Sequence, residues 1–315
     1  QVGLILAVAA ALSVGQILFF LWSLSRSGCR IRLAACDFHL TRDILKYSIP
    51  MAVFTLVNAL NRDMDKYLIS AVSDTQTLAI YANAAKVLPF DILLIAFMTV
   101  LLPHITRQIA AKRYGDAVET YRAYLEISYI STALLACGVL AAAPEAMRLL
   151  YSEKYISGLP VFRIYIVSDI FHFANITLIL TASGRTKLLM RLGFLGLAAN
   201  FVLNILFYRL MGFAGPALAT LLVSLGLGIT ILHFSAKELH TSIRGLFDCK
   251  YLLTFALECI GGTAVFSAAR RWLETTQMHY LAVMIAVCAG YALCVGLPNA
   301  KRFLHDLKKI STLKA

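Results

Sequence analysis

Stretches of about 20 apolar residues recur from one end of the chain to the other. An α-helix rises about 1.5 Å per residue, so each stretch is long enough to cross about 30 Å of hydrocarbon. Nine spans are predicted, at 2–24, 48–72, 78–104, 123–143, 161–181, 192–210, 214–234, 251–268 and 280–298. They are apolar on every side, carry scattered Gly and Pro, and do not alternate with period two, which predicts helices rather than barrel strands. Short connections predict antiparallel neighbours. The expected fold class is an all-α polytopic membrane protein. The longest connections are 25–47, which reads as a short amphipathic helix, and 143–160. Neither has room for a catalytic domain. Pro89, in "KVLPFDILL", predicts a kinked helix with a freed carbonyl, a device found where helices line cavities.

Composition agrees with the pattern. The chain is 60% hydrophobic and 15% charged over 315 residues, and its mean hydropathy is +0.76. A soluble domain, nearer 45–50% apolar, could not hide this much apolar surface. The net charge of +12 suggests a nucleic-acid partner until the basic residues are placed. If the connections alternate sides, twenty of the 29 Lys and Arg fall on one side and six on the other, with Arg62, Lys66 and Lys86 inside spans. By the positive-inside rule the twenty face the cytoplasm, and the C-terminus with them. Basicity here encodes topology and excludes nucleic acid as the expected partner. The seven cysteines form no Cys-x-x-Cys and no metal spacing, and read as small apolar packing residues. No metal or other cofactor is expected.

Against this background the segment "NALNRDMDKYLIS", Asn58 to Ser70, is anomalous. With Asn58 set at 0° on an ideal helix, Thr55, Asn61, Arg62, Asp65 and Lys66 fall within an arc of about 140°, and Asp63 lies outside it. The next span carries Asn83, Lys86 and Asp91 around Pro89. The span 161–181 places Ser168, Asp169, His172 and Asn175 on an arc of about 120°, and Asn200 and Asn204 stand one turn apart. A charge at the bilayer centre costs at least about 2.5–3.5 kcal/mol, so these groups face a bundle interior or water. One reading is structural: Arg62 with Asp65, and Asp63 with Lys66, form i,i+3 pairs that join helices. The other is a hydrated cavity for a charged solute. Arg62, Lys66 and Lys86 as convergent cations suit an anionic ligand, with Asn58, Asn61 and Asn83 lining the same cavity. Asp65, Asp91 and Asp169 then balance those cations between cycles or couple transport to an ion.

Other signals carry less. His172 beside Asp169 can be a proton relay or a hydrogen-bonded structural residue. Glu126 and Glu258 sit near helix entries and read as interfacial. The Asn and Thr of 192–224 read as interhelical hydrogen bonds. "SGRTK" at 183–187 lacks the strand–glycine–helix setting of a phosphate loop.

Several stretches resemble polysaccharide-export flippases of the multidrug/oligosaccharidyl-lipid/polysaccharide exporter superfamily. "LKYSIPMAVFTLVNALNRDMDKYLIS" resembles that family's seventh helix, with its Tyr–small–Pro start and terminal Asp-Lys pair, here Asp65 and Lys66. "LAIYANAAKVLPF" is similar to the helix after it, with Tyr81 and Lys86 in place and Ala79 where Gly is usual. "ASGRTKLLM" and "NFVLNILFYRLMGFAGPALAT" resemble a Gly-basic loop, an Asn-x-x-x-Asn helix and a Gly-x-x-Gly-x-Ala turn. The resemblance covers most of residues 1–235. It implies two six-helix lobes and a C-terminal pair, with 1–24 as the last helix of the first lobe and 25–47 as a cytoplasmic linker. Residues 48–234 are then the second lobe, and 235–315 an extra helix pair with a basic tail; five helices are expected before Gln1.

The implied activity is non-enzymatic: alternating-access transfer of an undecaprenyl-pyrophosphate-linked oligosaccharide, of O-antigen or capsule type, across a bacterial inner membrane. The implied partners are that lipid-linked sugar, membrane lipids, H⁺ or Na⁺ as coupling ion, and polysaccharide polymerase machinery. Alternatives within the superfamily are a lipid II flippase and a cation-coupled multidrug exporter, where carboxylates rather than Arg and Lys should dominate. A membrane glycosyltransferase or polymerase needs a long external catalytic loop, and none is predicted.

Overall fold

A computed structural model describes residues 2–27, 38–86, 92–172, 176–276 and 278–311. Among these residues every regular element is helical. The helices are α1 (Val2–Arg26), α2 (Phe38–Val72), α3 (Thr75–Ala84), α4 (Ile92–Ala110), α5 (Tyr114–Ala141), α6 (Ala143–Tyr151) and α7 (Leu159–Phe171). There follow α8 (Leu178–Ala182), α9 (Thr186–Met211), α10 (Gly215–Glu238), α11 (Ile243–Leu246), α12 (Cys249–Thr275), α13 (Tyr280–Tyr291) and α14 (Leu297–Ser311). The chain divides into two units, 1–46 and 47–315.

Six segments are long and apolar enough to cross a membrane, and one of them, Thr186–Glu238, contains both α9 and α10. The spans expected at 78–104 and 161–181 are each built from two helices, α3 with α4 and α7 with α8. For the first the sequence offers a reason. The ring of a proline clashes with the carbonyl four residues earlier, which for Pro89 is Ala85, one residue past the end of α3. Pro89, Asp91, Asn175, Cys29 and Cys36 lie outside the described residues. So does most of the first half of 25–47; positions 38–47 are the opening turns of α2. The connection 143–160 is filled by α6 and a 3₁₀ turn over Glu153–Gly158.

Local chemistry sets the helix ends. Asp74 caps α3 by accepting from the Thr77 amide at 2.8 Å, and Asp248 caps α12 by accepting from the Tyr251 amide at 3.2 Å. Pro144, Pro160 and Pro216 occupy the first turns of α6, α7 and α10, where no intrahelical donor is lost. Gly212 ends α9 at φ +63°, a conformation that costs a residue with a Cβ.

The second unit is organised around α5, whose apolar stretch is largely buried on all sides. Its buried positions include Ala123, Ser128, Thr132, Ala133, Ala136, Gly138 and Ala141. Small side chains let neighbouring backbones close in, which is how helices gain contact where lipid removes the hydrophobic drive between them. Toward one end of α5, Tyr121, Tyr124 and Leu125 pack with Leu101 and Ile105 of α4, Ile179 of α8 and Ile310 of α14. Further along, Tyr129 and Cys137 pack with Phe255 and Cys259 of α12 and Tyr291 of α13. A third cluster joins Ile69 of α2, Tyr81 of α3, Met147 of α6, and Phe162 and Tyr165 of α7.

Candidate functional site

The polar arc on α2 does not stay together. Asp65 is fully buried while Arg62, three residues before it, is exposed. What draws Asp65 inward is a pair of phenols. Tyr81 of α3 donates its hydroxyl to Asp65 Oδ2 at 2.8 Å, and Tyr165 of α7 donates to the same oxygen. The Lys66 amide donates to Oδ1 at 2.9 Å. A carboxylate removed from water needs such donors to offset lost hydration. Asp65 therefore ties α2 to α3 and α7.

Of the two i,i+3 pairs expected on α2, one forms. Lys66 Nζ lies 2.6 Å from Asp63 Oδ1, both side chains partly exposed. The Arg62–Asp65 pair does not form, because the tyrosines already satisfy Asp65 and point it away from Arg62. Among the described residues Arg62 has no ion pair or hydrogen bond, so it is an exposed cation without a counter-charge.

The asparagines divide between two jobs. Asn200 Nδ2 donates to the backbone carbonyl of Asn61 at 3.1 Å and to its Oδ1 at 2.9 Å, and Asn204 Nδ2 donates to Asn200 Oδ1 at 3.3 Å. Asn61 is thus committed to an interhelical ladder with α9, which agrees with the structural reading of the 192–224 asparagines. Gly193, one α9 face away, sits so close to Phe54 of α2 that an added Cβ would meet the ring at 3.0 Å. Asn58 is half-buried and makes no hydrogen bond to the described residues. Asn83 donates to the Ala79 carbonyl at 2.9 Å and accepts from Lys86 Nζ at 3.1 Å. Lys86 is exposed and leans over the Tyr151 ring, 5.6 Å from its centroid.

The structure therefore joins Asp65 with Tyr81 and Tyr165, Asn61 with Asn200, Lys66 with Asp63, and Lys86 with Asn83. Asp169 is buried on α7 one turn beyond Tyr165. His172 ends that helix with Nδ1 3.0 Å from the Ser168 carbonyl. Asp91 lies outside the described residues. Tyr165 was not singled out from sequence, and Tyr81 entered only as part of a motif. Burial of a carboxylate was the signal that a donor had to exist; the pattern did not say from which helix.

With this geometry in place, the comparisons decide the lineage. The family model for "Lipid II flippase MurJ" matches residues 2–291. The chain belongs to the lipid II flippase MurJ family. The superfamily expected from the motifs holds, but the branch matched is MurJ and not polysaccharide export. Two solved structures share the fold of this MurJ-family chain, each with a TM-score of 0.51 and 19% identity over 85% of this chain. One is an outward-facing multidrug resistance MATE family transporter of the MOP superfamily, the other a MOP superfamily transporter from Pyrococcus furiosus whose title notes a reversed polarity of its binding pocket. The chain spans 66% of the length of each. No curated protein matches it.

Proposed function

We propose that this chain carries part of a lipid II flippase, and that Arg62 and Lys86 meet the pyrophosphate of the lipid-linked substrate. The observation that supports this is Arg62: an exposed guanidinium on an apolar helix, lacking a counter-charge among the described residues, while its neighbours Asp63, Asp65 and Lys66 are satisfied. An uncompensated charge on such a helix is costly, and an anionic ligand offsets that cost. A planar guanidinium grips pyrophosphate through two parallel hydrogen bonds, and Lys86 adds a mobile point charge. The polar head then crosses beside the helices while the prenyl tail stays in lipid. Transfer of this kind makes and breaks no covalent bond. Asp65, with Asp169 and Asp91, remains the proposed ion-coupling or charge-balancing set; a proton or Na⁺ at Asp65 would compete with the two tyrosine hydroxyls. A bacterial inner membrane with the C-terminus in the cytoplasm is the setting proposed.

The test is transport by the full-length protein in vesicles, with fluorescent lipid II and an undecaprenyl-pyrophosphate oligosaccharide as rival substrates. Lipid II should move faster. Arg62→Ala should slow it about tenfold or more, since a hydrogen bond to a charged group is worth about 1.5–3 kcal/mol, and Arg62→Lys should recover part of the rate. Unchanged lipid II transport in Arg62→Ala, or preference for the oligosaccharide, overturns the proposal.

A further inference from the structure

A second buried polar network lies away from α2, where α5, α12 and α14 meet. Arg302 of α14 stacks on Tyr251, 3.8 Å from the ring centroid. Its Nε donates to Glu126 Oε2 at 3.2 Å, and its Nη2 donates to Glu126 Oε1 at 3.1 Å and to Asp248 Oδ2 at 2.8 Å. Tyr251 donates to Asn299 Oδ1 at 2.6 Å, and Asn299 Nδ2 donates to Glu258 Oε2 at 2.9 Å. One member lacks a donor. Asp306, one turn beyond Arg302, is 7% exposed, and its Oδ2 is enclosed with no hydrogen-bond partner among the described residues. The Asp306 carboxyl nevertheless lies within hydrogen-bonding reach of the Glu126 carboxyl, and Glu126 is 5% exposed.

Ionised carboxylates only accept hydrogen bonds, so contact between two of them needs something positive between them. Glu126, Asp248 and Asp306 together face a single guanidinium, and Arg302 is already divided between the first two. The other titratable groups around the pair are Tyr129 of α5, and Tyr251 and Glu258 of α12; none of them supplies a positive charge. A metal ion of the hard type asks for six or more oxygens, and no group of three or more acidic, His or Cys side chains is placed to hold one among the described residues. A proton needs only two. We propose that Glu126 and Asp306 share one bound proton, an acid–carboxylate pair that fastens α14 to α5. Taking the proton from water gives one O–H bond on one carboxyl and a hydrogen bond to the other. Releasing it leaves two like charges in contact and pushes α14 away.

Infrared spectroscopy of the full-length protein in lipid nanodiscs tests this. Asp306→Asn keeps the side-chain shape and removes a like charge, so it folds whether or not the proton is there; Glu126→Gln is the companion. The wild type should show the carbonyl band of a protonated carboxylic acid at neutral pH, and each variant should lose it. Replacing choline by sodium at fixed pH should leave the band in place. Amide exchange in α14, normalised to α9, should quicken several-fold as the band titrates away. Absence of the band in the wild type, or its persistence in Asp306→Asn, overturns the proposal. Loss of the band on adding sodium would make the occupant a metal ion and also overturn it. Exchange in α14 that ignores the titration removes the fastening role.

Discussion

Arg62 and Asp65 stand about 60° apart on an ideal helix, close enough to be read as an ion pair, yet one faces outward and the other is sealed between α3 and α7. Periodicity reports which residues share a face; it does not report the width of the neighbour or the donors it brings. Two phenols decide the outcome here, and phenols on apolar helices look like core in a sequence. The consequence is testable by thermal unfolding of purified protein. Tyr81→Phe strips one donor from a buried carboxylate and should cost about 1.5–3 kcal/mol. Arg62→Ala removes an exposed side chain with no partner and should stay within about 0.5 kcal/mol of wild type. Asp65→Asn should destabilise, and adding Arg62→Gln should recover nothing, because the two never pair. Recovery in that double variant would restore the ion pair and remove Arg62 from ligand binding.

At the scale of elements, the apolar runs located the helices well, but not their roles in packing. The central place of α5 was not legible, because alanine, serine and glycine carry no strong signal until another helix lies against them. Glycines show the same dependence on a neighbour. Gly261 and Gly262 are adjacent on α12, yet a Cβ at Gly262 would come within 2.7 Å of Val295 and 3.0 Å of Tyr291, while at Gly261 nothing lies within 4 Å. Gly262→Val should therefore cost about 1–3 kcal/mol by overpacking against the C-terminal helices. Gly261→Ala should raise stability by about 0.5–1 kcal/mol through helix propensity. Equal effects at the two positions, read as melting temperatures, would show that α12 does not pack against Tyr291. The start of α12 adds a pH dependence. Hydrogen bonding from Arg302 and from the Tyr251 amide holds the Asp248 carboxyl below its ordinary range. A depressed carboxylate contributes stability above its unfolded value, near 4, and that contribution disappears as pH falls through the folded value. Acidification below about pH 4 should fray the first turn of α12, seen as faster amide exchange there, and Asp248→Asn should abolish the pH dependence.

For the molecule as a whole, orientation depends on how many times the chain crosses the bilayer, and two expected spans turned out to be broken. The breaks do not add crossings. Ten residues of α3 rise about 15 Å and five of α8 about 7.5 Å, each too short for about 30 Å of hydrocarbon. Each therefore completes a crossing with its partner, α4 or α7, and the alternation that put twenty basic residues on one side is preserved. Overall topology was thus readable from apolar runs and basic residues, while the interruptions needed Pro89 and the polar residues around His172 to be weighed against the run length. Thr75 follows the end of α2 and Arg113 precedes α5, both exposed and on opposite sides of the α3–α4 crossing. In a cysteine-free background, a cysteine at Thr75 should react with a membrane-impermeant maleimide in intact cells, and one at Arg113 only after permeabilisation. The opposite pattern would place the twenty basic residues outside, against the positive-inside rule. Labelling of both in intact cells would show that α3 and α4 together fail to cross, so that Lys86, just past the end of α3, would belong to a surface loop rather than to the proposed pyrophosphate site.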